Sequence, residues 1–344
     1  MLEHGGRLAQ IATLSGIPVA QWLDLSTGIN PHAYPVPMLN AEVWRRLPEE
    51  EDGLAQIAAR NYGAAPATEV LPIAGTQAAI QALPRALVTL SAATTAPMRV
   101  AVAHLTYNEY AHAWQQTGHV VAPYPHAQLI NAAATADVVM LCQPNNPTGE
   151  HLALSAIARM AATLASRSGW LVIDEAYADA TPALSALPHI AAADWPQVIV
   201  LRSLGKFFGL AGARAGFAIS APEVIHALRD ELGPWPMSGP ARVVAAHALR
   251  DSAWQNEART FLHAMAAKLD QCLARNLNVE PTGAALFRWF EFARADALHA
   301  HLANAAILVR QFASPPGGKP SLRIGLPADD QQLARLDRAL EQFQ

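Results

Sequence analysis

Lys206 is the residue around which chemistry can be built. It stands in the stretch 203–216, Ser-Leu-Gly-Lys-Phe-Phe-Gly-Leu-Ala-Gly-Ala-Arg-Ala-Gly, between apolar runs at 198–201 and 216–219. Its neighbours are small or apolar, and desolvation disfavours the charged form of an amine. A neutral amine can attack an aldehyde and hold a carbonyl cofactor covalently. Ser203 precedes it by three residues and Arg214 follows it by eight. A hydroxyl and a guanidinium beside that amine suit a phosphate carried by the aldehyde. The plainer reading is a loop lysine whose stem covers apolar surface.

Two further segments bear on the choice. The apolar run 171–173 ends in Asp174-Glu175-Ala176-Tyr177, and the run 137–141 leads into Gln143-Pro144-Asn145-Asn146-Pro147-Thr148-Gly149. An acid at the C-terminal end of a parallel strand faces the crevice where open α/β sheets bind ligands. Asn-Pro-Thr-Gly, Asp-x-x-Tyr and Ser-x-x-Lys, with arginine eight residues on, stand here in that order. In them the chain resembles the aspartate-aminotransferase-like, class II aminotransferase family of pyridoxal 5'-phosphate (PLP) enzymes. The resemblance runs over nearly the whole chain. It implies an α/β protein of PLP-dependent transferase fold type I, with a large domain whose mostly parallel sheet is covered by helices and a smaller α+β domain.

The resemblance also implies roles. Lys206 matches the lysine that tethers the cofactor. Asp174 matches the acid that pairs with the pyridine nitrogen, and a carboxylate there keeps the ring an electron sink. Asn146 and Tyr177 match the partners of the phenolic oxygen, and Tyr107 the aromatic that stacks on the ring. Gly75-Thr76-Gln77 opens a helix after a strand, where N–H groups and the helix dipole can hold a phosphate. Ser203 and Arg214 complete that cradle. Tyr62 matches a tyrosine that reaches the phosphate from a neighbouring subunit, which implies a homodimer with shared active sites. The family often has proline at Leu105 and serine at Ala74, and this chain departs from both. Taken singly, Asp174 reads equally as a helix cap, Tyr107 and Tyr62 as packing residues, and Arg214 as a surface ion-pair residue.

At the substrate end, Arg323 matches the arginine that grips an α-carboxylate through a two-pronged contact. Arg310, at the end of the preceding strand, offers a second cation for a second anion. His4-Gly5-Gly6 near the N-terminus adds an imidazole and backbone N–H groups. With Asp-Leu-Ser-Thr-Gly-Ile-Asn-Pro at 24–31, these features resemble the branch of the family that decarboxylates a phosphorylated amino acid. That resemblance implies L-threonine O-3-phosphate as substrate. The products would be (R)-1-amino-2-propanol O-2-phosphate, a cobalamin (vitamin B12) precursor, and CO2. It puts His4, Gly5, Asn30, Asn146, Arg310 and Arg323 on the substrate; Asn30 reads equally as a turn residue. A histidinol-phosphate aminotransferase shares the fold and a phosphorylated substrate and stays open. A PLP-binding regulator would need a nucleic-acid-binding domain, for which the chain has neither room nor a basic face.

Elements must bring these residues together. Helical spacing is read at 7–14, 54–62, 107–117, 153–167, 221–232, 295–305 and 328–343, and from Thr76 onward. Strands are expected at 71–74, 99–103, 137–142, 170–174, 197–202, 215–220, 285–292, 307–309 and 321–325, with another beginning at Val120. Strand and helix alternate through the middle of the chain, which implies a mostly parallel sheet with helices on both faces. Residues 242–276 read as a long helical region broken near Asp251. The expected division is an arm at 1–45 that belongs partly to the small domain, a large cofactor-binding domain at 46–240 and a small domain at 241–344.

Composition fits an enzyme of this kind. The chain has 344 residues, 52% hydrophobic and 15% charged, with net charge −4. A large core is possible and disorder is disfavoured. No basic block or face points to nucleic acid. Cys142 and Cys272 form neither a disulfide framework nor a metal-ligand spacing, and no metal is expected. No run reaches the roughly 18 apolar residues of a membrane helix, and a cytoplasmic location is expected.

Overall fold

The computed structural model describes residues 5–91, 96–189, 196–313 and 318–343. Its strands in chain order are β1 (Leu23–Asp24), β2 (Glu69–Ile73), β3 (Arg99–Ala103), β4 (Val120–Tyr124), β5 (Val138–Cys142) and β6 (Trp170–Asp174). They continue with β7 (Val198–Ser203), β8 (Gly216–Ser220), β9 (Phe287–Glu291), β10 (Ile307–Leu308), β11 (Arg310–Phe312) and β12 (Ser321–Gly325). Strands β2 to β8 form one sheet in the order β2-β8-β7-β6-β5-β3-β4. Only β8 runs against its neighbours. The C-terminal ends of all the other strands therefore lie along one edge.

The residue pattern explains which strands are central. β5, β6, β7 and β8 are buried at every position, whereas edge strand β4 has no buried residue. A strand covered on both faces needs an unbroken apolar run. Alternate residues then feed two cores. Val139, Leu141, Leu171 and Ile173 face one, packed with Ile157, Met160 and Leu164 of the helix Leu154–Ala165. Val138, Met140, Trp170 and Val172 face the other, packed with Ile80, Leu83 and Leu87 of the helix Thr76–Leu90. Asp174 shares the parity of Trp170 and Val172, so it emerges on that second side.

The helical region expected at 242–276 is two helices, Gly239–Arg250 and Ser252–Leu277. Asp251 separates them, and its carboxylate accepts the Trp254 N–H at 3.0 Å as the cap of the second helix. An aspartate that satisfies an orphan N–H starts a helix more readily than it continues one. Beyond it, β9, β12 and β11 make an antiparallel sheet. β1 of the N-terminal arm pairs in parallel with β10, Leu23 opposite Ile307. The expected strand at 307–309 stops at Leu308. The chain then changes partner, and Arg310 opens β11 rather than ending β10.

The large sheet meets the C-terminal part along a close seam. Thr282 donates its hydroxyl to the Thr148 carbonyl at 2.9 Å. A Cβ added at Gly149 would lie 2.2 Å from the carbonyl carbon of Gly283, and Gly149 has φ +75°. Only glycine allows two backbones to approach this closely in that conformation.

Candidate active site

The shared edge of the sheet collects the expected residues. Gly75 follows β2, Tyr107 follows β3, Asn146 follows β5, Asp174 ends β6 and Ser203 ends β7. Lys206 and Arg214 lie in the connection from β7 back to β8. A cavity of about 120 Å³ is lined by all of these together with Thr76, Gln77 and Tyr177. A wider cavity of about 290 Å³ shares Tyr107, Asn146, Tyr177 and Lys206 with it, and adds Gly5, Gly6, Thr27, Gly28, Arg310, Phe312 and Arg323.

Asp174 is at one end of the narrow cavity's chemistry. It is buried, accepting the Tyr110 hydroxyl on Oδ2 at 2.8 Å and the Ala176 N–H on Oδ1 at 2.9 Å. Burial pushes its carboxyl above the usual range; the Tyr110 hydroxyl, the Ala176 N–H and the Lys206 charge oppose that rise. Such a group gains from a cationic N–H placed against it.

The other end is built for an anion. Gly75 caps the helix Thr76–Leu90 with φ +77°, and the first N–H groups of a helix lack partners within it. A Cβ on Gly75 would stand 2.9 Å from Arg214 Nη2. Arg214 itself holds φ +51°, an unfavourable region for a bulky side chain, which here brings its guanidinium over the helix start. Ser203 Oγ accepts the Gly205 N–H at 3.1 Å, so its hydroxyl hydrogen points elsewhere.

Between the two ends, Tyr107 is pinned by its hydroxyl, which donates to Gln77 Oε1 at 3.0 Å. Gln77 Nε2 in turn donates to Glu109 Oε2 at 2.7 Å. Lys206 Nζ lies 5.6 Å from the centre of the Tyr177 ring. A carboxylate at one end, a flat tyrosine wall, and a glycine, hydroxyl and guanidinium at the other fit a planar heteroaromatic that bears a phosphate. The amine lies within reach of such a ring.

In the wider cavity Arg323 is buried. It donates to Asn146 Oδ1 through Nη1 and to the Ser26 carbonyl through Nη2 at 2.8 Å. Burial lowers its pKa, with Tyr177 acting in the opposite direction. Arg310 is its register partner on β11. Gly5 belongs to this wall, close-packed on the backbone of Ser26. His4 lies outside the described residues.

Two of the expected residues line neither cavity. Asn30 is buried; it donates to the Phe207 carbonyl at 2.9 Å and accepts the His32 N–H at 3.0 Å. Its amide ties the arm to the lysine loop, beside Gly28 and Ile29, which line the wider cavity. Tyr62 is buried within its own chain, with the Arg202 guanidinium 4.2 Å from its ring centre. Arg202 belongs to a buried charge cluster, donating to Glu175 at 2.7 Å and Asp179 at 2.9 Å.

Three contributors were not anticipated from the sequence: Tyr110, Glu109 and Phe312. Tyr110 falls three residues after Tyr107, and its N–H bonds the Tyr107 carbonyl at 3.1 Å where the helix Glu109–Gln116 begins; that spacing was the available signal. Glu109 and Phe312 had no comparable signal.

The comparisons with known proteins agree with this geometry. The family description "Aminotransferase class I and II" matches residues 44–341. The chain is 45% identical to the threonine-phosphate decarboxylase of Pseudomonas aeruginosa, over 100% of this chain and 98% of that protein. It is 31% identical to the protein of that name from Salmonella typhimurium, over 91% and 89%. Among solved structures, histidinol-phosphate aminotransferase from Sinorhizobium meliloti, in complex with pyridoxal-5'-phosphate, has a TM-score of 0.82 at 21% identity, covering 99% of this chain and 95% of that one. L-threonine-O-3-phosphate decarboxylase from Porphyromonas gingivalis has a TM-score of 0.76 at 21% identity, covering 93% and 98%. With its whole sheet, its lysine loop and its paired arginines inside the matched span, the chain belongs to the class I and II aminotransferase family.

Proposed function

We propose that the chain binds pyridoxal 5'-phosphate and decarboxylates L-threonine O-3-phosphate to (R)-1-amino-2-propanol O-2-phosphate and CO2, a step of cobalamin biosynthesis. The observation that carries this reading is the pair Arg310 and Arg323, opposite each other in the cavity that Lys206 shares. Two cations suit a substrate with an α-carboxylate and a second anion. The names of the relatives that match over nearly their full length support the same choice.

Lys206 would hold the coenzyme, Asp174 would face its ring nitrogen, and Tyr107 would lie on its ring. Asn146 and Tyr177 would bond its phenolic oxygen. Gly75, Thr76, Gln77, Ser203 and Arg214 would take its phosphate. Bound there, the coenzyme supplies an electron sink for the pair released when a Cα bond of the amino acid breaks. The chain decides which bond that is. Arg323 orients the α-carboxylate, and Arg310 with the Gly5–Gly6 backbone takes the side-chain phosphate, fixing rotation about Cα. Lys206 Nζ would return a proton to Cα.

Residues 46–240 form the large domain in this reading, and 1–45 with 241–344 the smaller one. The enzyme works in the cytoplasm as a homodimer. The exposed Val36, Met38 and Trp44 of the arm, with Leu47 just beyond it, supply an apolar surface for a second copy; sedimentation as a monomer would overturn that assembly. The reaction itself is tested with PLP-loaded protein and L-threonine O-3-phosphate alone. Release of CO2 without a keto-acid acceptor, lost in Lys206→Ala by about 10²-fold or more, is expected. Turnover that requires 2-oxoglutarate would instead support an aminotransferase.

A further inference from the structure

One face of the sheet formed by β9, β12 and β11 makes a wall of the wider cavity. Arg310 and Arg323 are register partners, so their side chains leave the ladder on the same face. Like charges directly opposite one another destabilise a sheet. Phe312, two residues beyond Arg310, projects to that face as well and lines the same cavity. Its ring centre is 5.5 Å from Cζ of Arg310 and 5.9 Å from Cζ of Arg323. Both distances lie in the range where a ring face attracts a guanidinium. Arg323 also has the ring of Phe287 at 5.2 Å. Among the described residues, Phe312 is the aromatic that contacts both cations.

A ring shared by two guanidinium groups has two effects. It offsets their repulsion without neutralising either charge. It also restricts two long side chains before any ligand arrives, and groups ordered in advance lose less entropy on binding. An apolar residue without a ring would fill the space but do neither.

We propose that Phe312 is a specificity-determining residue: by packing against both guanidinium groups it fixes their spacing, and so selects amino acids whose side chain carries a second anion. This rests on the reading above that the substrate is a phosphorylated amino acid, and it names what makes the site prefer that form.

The test uses the full PLP-loaded chain and two variants. Phe312→Leu keeps an apolar side chain and removes the ring, while Phe312→Tyr keeps the ring. Calorimetry gives Kd for L-threonine O-3-phosphate, L-serine O-phosphate and L-threonine, and CO2 release gives kcat and KM. Phe312→Leu is expected to weaken both phosphorylated ligands by about tenfold and L-threonine by less than about twofold, with kcat changed less than about twofold. Phe312→Tyr is expected to match the wild type. Equal weakening of L-threonine and its phosphate, no weakening, a wild type without preference for the phosphate, or a Phe312→Tyr variant as impaired as Phe312→Leu would each overturn the proposal. The binding contrast is independent of turnover. If the wild type binds threonine phosphate and releases no CO2, the decarboxylase reading fails while the role of Phe312 is still decided.

Discussion

Tyr110 and Asp174 form a pair in which each explains the other. A carboxylate buried at a strand end needs donors, and the phenol supplies one from the adjoining helix at 2.8 Å. Tyr110→Phe removes that donor without changing shape. It should lower unfolding free energy by about 1–2 kcal/mol, as for a buried acceptor that loses a partner, measured by urea denaturation. Coenzyme retention during dialysis should weaken as well. At this scale the sequence was legible where order along the chain carried the information: Lys206, Asp174 and Arg214 line one cavity. It was not legible where the direction of a side chain decided the role. Asn30 stands in a context that suits a ligand, yet its amide donates to the Phe207 carbonyl, 177 positions away. Tyr62 sits where a helix ends, and nothing local reveals that Arg202 covers its ring.

Elements were more legible than side chains. The helix Leu54–Tyr62 is bounded by glycines in the left-handed conformation at both ends, and its start and stop could be read directly. The break at Asp251 could be read for the same kind of reason, since an aspartate competes with the helix for its own backbone. The separation of β10 from β11 could not, because Val309 and Arg310 suit a strand equally well and only the change of partner marks the boundary. Nor could the seam between Gly149 and Gly283, which joins residues 134 positions apart in the chain. Gly149→Ala should destabilise the protein by about 1–3 kcal/mol, the usual cost of overpacking. Its new methyl group meets backbone, which cannot rotate away, in a region of φ that alanine avoids. Loss of stability comparable to a surface substitution would contradict the close approach.

For the molecule as a whole, one buried and two half-buried histidines set an acid limit. Burial holds the pKa of His126, His119 and His299 below the ordinary 6.5. In the unfolded chain these rings take up protons as the pH falls through 6.5, whereas in the folded chain they remain neutral. The unfolded state then binds more protons, so the stability they allow is present above pH 6.5 and is lost below it. The midpoint of thermal unfolding should therefore fall as pH drops from about 7 to 5.5. His126 is the most deeply enclosed, with Nε2 lacking a hydrogen-bond partner in the described structure. His126→Gln should flatten the slope, and an unchanged slope would assign the effect to other groups.

The connection between β7 and β8 has an evolutionary consequence. Because β8 doubles back, twelve residues, 203–214, deliver the amine that would tether the coenzyme, a hydroxyl and a guanidinium from one contiguous cassette. Drift there would forfeit anchorage and anion grip simultaneously. Novelty in what such a scaffold transforms is thus channelled to the opposite wall, where a short antiparallel ribbon can exchange its cations and its aromatic spacer while the coenzyme's berth stays untouched.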